Sequence, residues 1–154
     1  MKIRKANMED VDEIVRMAYE FETYLITLDN SLLQESPSKK VFKKVLINGF
    51  EDPKHCLLVA EEKGKMLGFA DMWSYPEFLH GGMSAYMNNI FIREGHRGKG
   101  IGTALLKTII KEAKRRGVVA LHVPIKAKNL KSIEFHKKKG IDEQLVMMEK
   151  RLDR

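Results

Sequence analysis

The spacing of hydrophobic positions switches between a helical and a strand period along the chain, and the switches delimit the elements. "KIRKA" reads as a short first strand. In "NMEDVDEIVRMAYEFETYL" the apolar residues Val11, Ile14, Ala18, Phe21 and Leu25 recur at helical spacing. Asn7 stands where an N-cap belongs and acids fill the first turn, so this segment is a helix. "ESPSKKVFKKVLINGF" is expected to be a second helix, capped by Ser36, opened by Pro37 and ended by Gly49. The period then falls to two. "CLLVAEEKGKMLGFADMWSY" predicts a hairpin of two strands turning at Lys63-Gly64. "SAYMNNIFIRE" predicts a further strand with Ile90 and Ile92 on one face. "GIGTALLKTIIKEAKRRG" carries a stripe at Ile101, Leu105, Ile109 and Ala113 and stops at Gly117, a helix with its terminator. "VVALHVPI" is a strand. "NLKSIEFHKKKG" is a short helix with Asn129 as cap, and "EQLVMMEKRL" is expected to be a final strand. The order β-α-α-β-β-β-α-β-α-β describes a mixed sheet with helices on its faces, an α/β (α+β) fold.

A length of 154 residues suits one domain with one core. No repeat, linker or low-complexity segment interrupts it. No apolar run approaches the ~18 residues of a membrane span. The charged N-terminus lacks a signal-peptide apolar block. Cys56 is the only cysteine, so no internal disulfide can form, which suits a reducing cytoplasmic setting. Its place at a strand entry points to a buried, inert thiol. The formal net charge of +7 favours an anionic partner. The densest basic runs, "KRRG" at 114–117 and "HKKKG" at 136–140, fall at helix ends, where cations meet the negative end of the helix dipole.

The positive charge and the glycines coincide once, in "REGHRGKGIGT". A strand runs into glycines and then into a helix whose first N–H groups have no intrahelical partner. Glycine lets an anion approach that backbone, and Arg97 and Lys99 add charge. The Walker pattern is absent, because Lys99 is followed by Gly100. The Rossmann pattern is absent too, because Thr103 stands at its last glycine position. The spacing alone gives a phosphate or diphosphate seat of another type.

Arg97-Gly98-Lys99-Gly100-Ile101-Gly102 resembles motif A of the GNAT superfamily of N-acetyltransferases, [QR]-x-x-G-x-[GA]. The surrounding "YMNNIFIREGHRGKGIGTALL" is similar to that family's fourth strand, turn and third helix. "NLKSIEFHKKKGI" is similar to its last helix, and "EQLVMMEKRL" to its closing strand. The resemblance covers nearly the whole chain, 1–154, as a single acetyltransferase domain with a splayed central sheet. It implies acetyl-CoA as cofactor and acyl transfer to the amine of a small molecule or peptide by direct attack. It implies that the backbone N–H groups of Gly98, Lys99, Gly100, Ile101, Gly102 and Thr103, with Arg97, hold the diphosphate. The pantetheine arm would run along Ile90, Phe91 and Ile92, and an N–H near Phe91 or Ile92 would polarise the thioester carbonyl. Asn129 and Ser132 would contact CoA. Many relatives pair, so a homodimer is expected; no nucleic acid and no membrane partner is.

Two positions depart from the family. Where some members place a Glu base on the fourth strand, this chain has Asn88, with Asn89 beside it; either amide can position a water, but neither is a base. Asp71 is a candidate base, set against a surface or turn-adjacent Asp without a role. Where the family often has a Tyr acid, this chain has His136, which could donate to the departing thiolate when protonated or bond the sulfur when neutral. Trp73, Tyr75, Phe78 and Tyr86 are placed around the mouth of the acceptor site, with core packing as the alternative for at least half of them. Tyr19, Glu22, Tyr24 and Asp29 are read as a solvated helix face, and His80 and His122 lack the spaced partners of a metal site. Two rivals remain at this point: a non-catalytic CoA-binding sensor of the same fold, and a basic nucleic-acid-binding module, for which no motif appears.

Overall fold

The structure, a computed structural model, describes residues 1–29, 39–150 and 152. They form β1 (Lys2–Lys5), a 3₁₀ turn (Met8–Asp10), α1 (Val11–Leu28), α2 (Lys39–Glu51), β2 (His55–Glu62), β3 (Lys65–Glu77), β4 (Gly82–Ile92), α3 (Ile101–Arg115), β5 (Val118–His122) and α4 (Leu130–Lys137). The chain divides into two compact units, Met1–Pro124 and Ile125–Arg154.

In the first unit the five strands lie in sequence order. They are antiparallel except for β4 and β5, which run parallel. This is the expected mixed sheet. Strand alternation sends Leu57, Val59, Phe69 and Phe91 to one face, where they pack with Val11, Ile14, Val15 and Met17 of α1 and Leu46 of α2. Phe91 sits between Phe69 and Phe21, at centroid distances of 6.3 and 5.4 Å. The buried stripe of α3, Ile101, Leu105, Ile109 and Ala113, covers the other face, as its spacing predicts. Polar anchors fix the first helix. Asn7 and Asp10 form a reciprocal capping box, and Arg4 bridges Asp10 and Glu61, each at 2.7 Å. Arg93, just past β4, pairs with Glu13 (2.6 Å) and Glu20 (2.9 Å) of α1.

Two irregularities matter for the site. β5 pairs with β4 only over Met83–Tyr86, and among the described residues no strand continues beside β4 after the Tyr86↔His122 pair. The expected splay is this divergence. The second irregularity is a bulge. Asp71 faces Asn89 and Met72 faces Met87, so Asn88 is an extra residue on β4.

Several expectations need correction. The second helix runs on through Gly49 to Glu51, so Gly49 does not end it. A Cβ at Gly49 would lie 2.3 Å from Nδ1 of His55, so close packing is what requires glycine there. Ser36 and Pro37 lie outside the described residues. Ile90 and Ile92 do share a face of β4, but they are only half-buried there, and it is Phe91 between them that enters the core on the opposite face. In the second unit, α4 forms behind the Asn129 cap, which accepts from the Ser132 N–H. The expected final strand does not: residues 141–150 adopt no regular structure, and Val146 and Met148 are exposed. Alternation without an apolar surface to cover it specifies no strand.

Candidate active site

The glycine-rich turn is built for an anion. Gly98 and Gly100 hold φ of 75° and 82°, and Gly100 is the N-cap of α3 with no side-chain cap bond. A left-handed N-cap tilts the following amides outward, and only glycine takes that conformation without strain. The first helical bond is Ala104 N–H to the Gly100 carbonyl, at 3.0 Å. Among the described residues, the N–H groups from Gly98 to Thr103 have no protein acceptor. With the helix dipole behind them they form a cradle that a diphosphate fits. Lys99 is exposed at its rim. The Arg97 side chain folds back instead. Its Nε donates to the Ile92 carbonyl (2.9 Å) and its guanidinium covers the Tyr24 ring at 4.6 Å.

Backbone direction along β4 follows from one bond. Arg93 N–H donates to the Leu67 carbonyl of β3, so by alternation Phe91 also turns its main chain to β3. Ile90 and Ile92 then present N–H and C=O to the side that β5 has left, and the Ile92 carbonyl takes Arg97 there. Of the three strand residues, Ile90 and Ile92 fit an arm laid along the strand. Phe91 does not: its main chain is engaged and its side chain is in the core.

On the α1 face a cavity of about 290 Å³ opens between α1, α2 and β4. Val15, Ala18, Phe21, Leu25 and Phe42 make it largely apolar; Glu22, Tyr19, Lys39 and Asn89 supply its polar groups. Burial pushes the Glu22 carboxyl above the ordinary glutamate value. Behind Asn89 stands a buried polar cluster: Asn89 Nδ2 donates to Asp71 Oδ1 (2.6 Å), and Asp71 Oδ2 lies 3.5 Å from Nε2 of His55, too far for a hydrogen bond in this geometry, with the His55 ring stacked on Trp73 at 4.1 Å. Asp71 is thus a buried mid-strand residue, neither at the surface nor beside a turn. A second hollow of equal volume, bordered by Lys5, Pro53, Cys56 and Arg116, shares no residue with the glycine-rich turn. Cys56 is buried there and its thiol is pushed up by burial, which keeps it unreactive.

The other sequence candidates divide. Asn88 is exposed, and it is Asn89 that lines the cavity. Tyr75 and Tyr86 stack at 5.0 Å, Trp73 is tied to His55, and Phe78 stands fully exposed apart from them. Glu22 was missed, because a carboxylate on an amphipathic helix reads as solvated until α2 and β4 wall it in. In the second unit, His136 is 1 % exposed. Its Nδ1–H donates to the Ser132 carbonyl (2.7 Å), and Nε2 is buried without a partner. Burial lowers the His136 pKa, outweighing the Ser132 bond that raises it. The neutral ring therefore carries its lone pair on Nε2.

Comparison with known proteins agrees with this geometry. The model of the Acetyltransferase (GNAT) family matches residues 11–141. An uncharacterized N-acetyltransferase of Methanocaldococcus jannaschii is 29% identical over 146 residues, covering 94% of this chain and 62% of its own. The L-methionine sulfoximine/L-methionine sulfone acetyltransferase of Pseudomonas aeruginosa is 28% identical over 86 residues, 56% of this chain and 49% of its own. This chain thus spans about half to three-fifths of the length of those two relatives. The mouse thialysine N-epsilon-acetyltransferase is 24% identical, with 88% of this chain and 81% of that one covered. Among solved structures, a predicted acetyltransferase from Clostridium acetobutylicum with acetyl-CoA superposes with a TM-score of 0.78 at 22% identity, over 98% of this chain and 96% of that one. With the family match spanning both the cavity-lining helices and the amide cradle, the chain belongs to the acetyltransferase (GNAT) family.

Proposed function

We propose that the protein transfers an acetyl group from acetyl-CoA to the primary amine of a small molecule. The observation that carries this is the set of unsatisfied N–H groups from Gly98 to Thr103 at the end of a strand whose outer edge is open. Acetyl-CoA supplies the activated acyl group. The amides of Gly98, Lys99, Gly100, Ile101, Gly102 and Thr103 hold its diphosphate, with Lys99 adding positive charge at the rim, while Arg97 would have to leave the Ile92 carbonyl and the Tyr24 ring to join them. Ile90 offers its N–H and C=O to the arm, and Ile92, whose carbonyl is held by Arg97, offers the outward N–H that polarises a carbonyl laid beside it. Phe91 supports the strand from the core.

The cavity between α1 and α2 suits the acceptor in size and lining. An amine enters as a cation of pKa ~10 and must lose a proton before it attacks. Glu22 draws the cation in and, with a carboxyl raised by burial, accepts that proton. Asn89, held by Asp71, orients the amine or a water at the cavity wall; exposed Asn88 has no partner for that work. Asn129 and Ser132, in the second unit, are joined by their capping bond. Donation to the departing thiolate by His136 would need the imidazolium, which burial disfavours; its geometry fits the neutral ring accepting a bond at Nε2. Relatives that acetylate L-methionine sulfoximine or thialysine support a small amine as acceptor.

The test is an amine panel with acetyl-CoA and detection of free thiol. Amine-dependent thiol release, abolished by blocking the amine, is expected. Tight CoA binding with no release for any amine would instead support the sensor reading. Absence of CoA binding would overturn the assignment altogether.

A further inference from the structure

Away from the amide cradle, three elements of the first unit converge on a second cluster. Glu77 ends β3, His80 lies in the turn between β3 and β4, and His122 ends β5. Glu77 Oε2 is 2.5 Å from Nδ1 of His80 and 3.5 Å from Nε2 of His122, and the three ligand atoms lie within 4.8 Å of one another. The Ser84 hydroxyl donates to the same Oε2 at 2.5 Å. The His122 ring packs on Tyr86 at 5.2 Å, and its Nε2 is buried without a hydrogen-bond partner. A buried imidazole nitrogen left unpartnered beside a carboxylate is costly unless something occupies the gap.

We propose that Glu77, His80 and His122 form a three-ligand site for Zn²⁺. Two imidazole nitrogens and one carboxylate oxygen are the ligand types of a borderline cation; Ca²⁺ and Mg²⁺ take oxygen. Ligands at ~2.0–2.2 Å around a tetrahedral ion stand roughly 3.3–3.5 Å apart. The Glu77–His122 spacing of 3.5 Å meets this already. The Glu77–His80 contact must open by about 1 Å, and His80, exposed on its turn, is the member free to swing. Ser84 orients the carboxylate, as outer-sphere partners of metal ligands do. Three protein ligands leave a fourth position for water or an incoming donor atom, reached past the exposed His80 ring. A bound ion would tie the β3–β4 turn to the end of β5, beside the pair at which β5 leaves β4. This site is independent of the acetyl-transfer reading.

The test is calorimetric titration of chelator-treated, dialysed protein with ZnCl₂, with a chromophoric chelator as competitor. One ion per chain at micromolar affinity or tighter is expected, with a rise in melting temperature at saturating Zn²⁺. Co²⁺ should give the visible absorption of a four- or five-coordinate ion. Glu77→Gln and His122→Gln should each weaken binding at least ten-fold, Ser84→Ala less, and His96→Gln, outside the cluster, not at all. Metal-free melting curves of each variant confirm that it is folded. No binding by the wild-type protein below millimolar Zn²⁺, or binding unaffected by both Glu77→Gln and His122→Gln, would overturn the proposal.

Discussion

Gly49→Ala separates two opposite expectations. Gly49 is inside α2, where replacing glycine by alanine ordinarily stabilises a helix by about 0.5–1 kcal/mol. Here the new methyl carbon would sit 2.3 Å from Nδ1 and 2.8 Å from Cε1 of His55. The ring cannot retreat freely, because it stacks on Trp73 at 4.1 Å and is itself 8 % exposed. Overpacking of this kind costs roughly 1–3 kcal/mol. The balance is a loss of about 1–2 kcal/mol, which for a chain of this size lowers Tm by roughly 2–8 °C. Urea unfolding followed by circular dichroism measures it directly. In a His55→Ala background the obstruction is gone, so the same substitution should stabilise by about 0.5–1 kcal/mol. A Gly49→Ala protein as stable as wild type, or the same loss in both backgrounds, would refute the steric account.

Three further expectations follow from the site and its supports. Gly100→Ala meets no atom within 4 Å, yet must hold a left-handed φ of 82°, so stability should fall by only about 1–2 kcal/mol while CoA affinity, measured by calorimetry, falls at least ten-fold as the amides retilt. Glu22→Gln should lower kcat/KM near neutral pH by roughly a hundred-fold and remove the acid limb of the wild-type pH profile. That limb lies above the ordinary glutamate range because the folded carboxyl is raised, and since a raised carboxyl loses stability as pH climbs through it, Glu22→Gln should melt no lower than wild type at pH 7. Asp10→Asn should cost about 1–3 kcal/mol at neutral pH through loss of the capping box and the Arg4 pair. Because Arg4 lowers the Asp10 pKa, that contribution is present above the unfolded value near ~3.9 and fades as pH falls through the folded one, so the wild-type and Asp10→Asn melting temperatures should converge in acid.

Features carried by local chemistry were legible in the sequence. The α3 stripe, its Gly117 stop, the Lys63-Gly64 hairpin and the Asn7 and Asn129 caps each depend on residues a few positions apart, and each is present. The amide cradle belongs to the same class, since a strand, glycines and a helix start are consecutive. What stayed hidden depends on distant chain segments. Glu22 becomes a cavity residue only when α2 and β4 close around α1. Glu77, His80 and His122 meet only because β5 docks beside the first half of β4. Gly49 looks like a helix stop until the ring of His55 arrives against it. The segment 143–152 reads as a strand in sequence, but its described residues 143–150 form none.

The extra residue at Asn88 has a consequence for the shape of the strand. Two half-strands of opposite phase are spliced there: Ser84 and Tyr86 keep even numbers toward α1, while Asn89 and Phe91 reach that side with odd ones. Removing Asn88 would let Asn89 follow Met87 in an unbroken ladder, still opposite Asp71, so Phe91 would stay toward α1 and Ile90 and Ile92 away from it; what would be lost is the local bend and added twist of the bulge. The outward edge of β4 past the bulge is thus fixed by its pairing with β3, and the extra residue adds a bend to the strand close to the point where β5 leaves it.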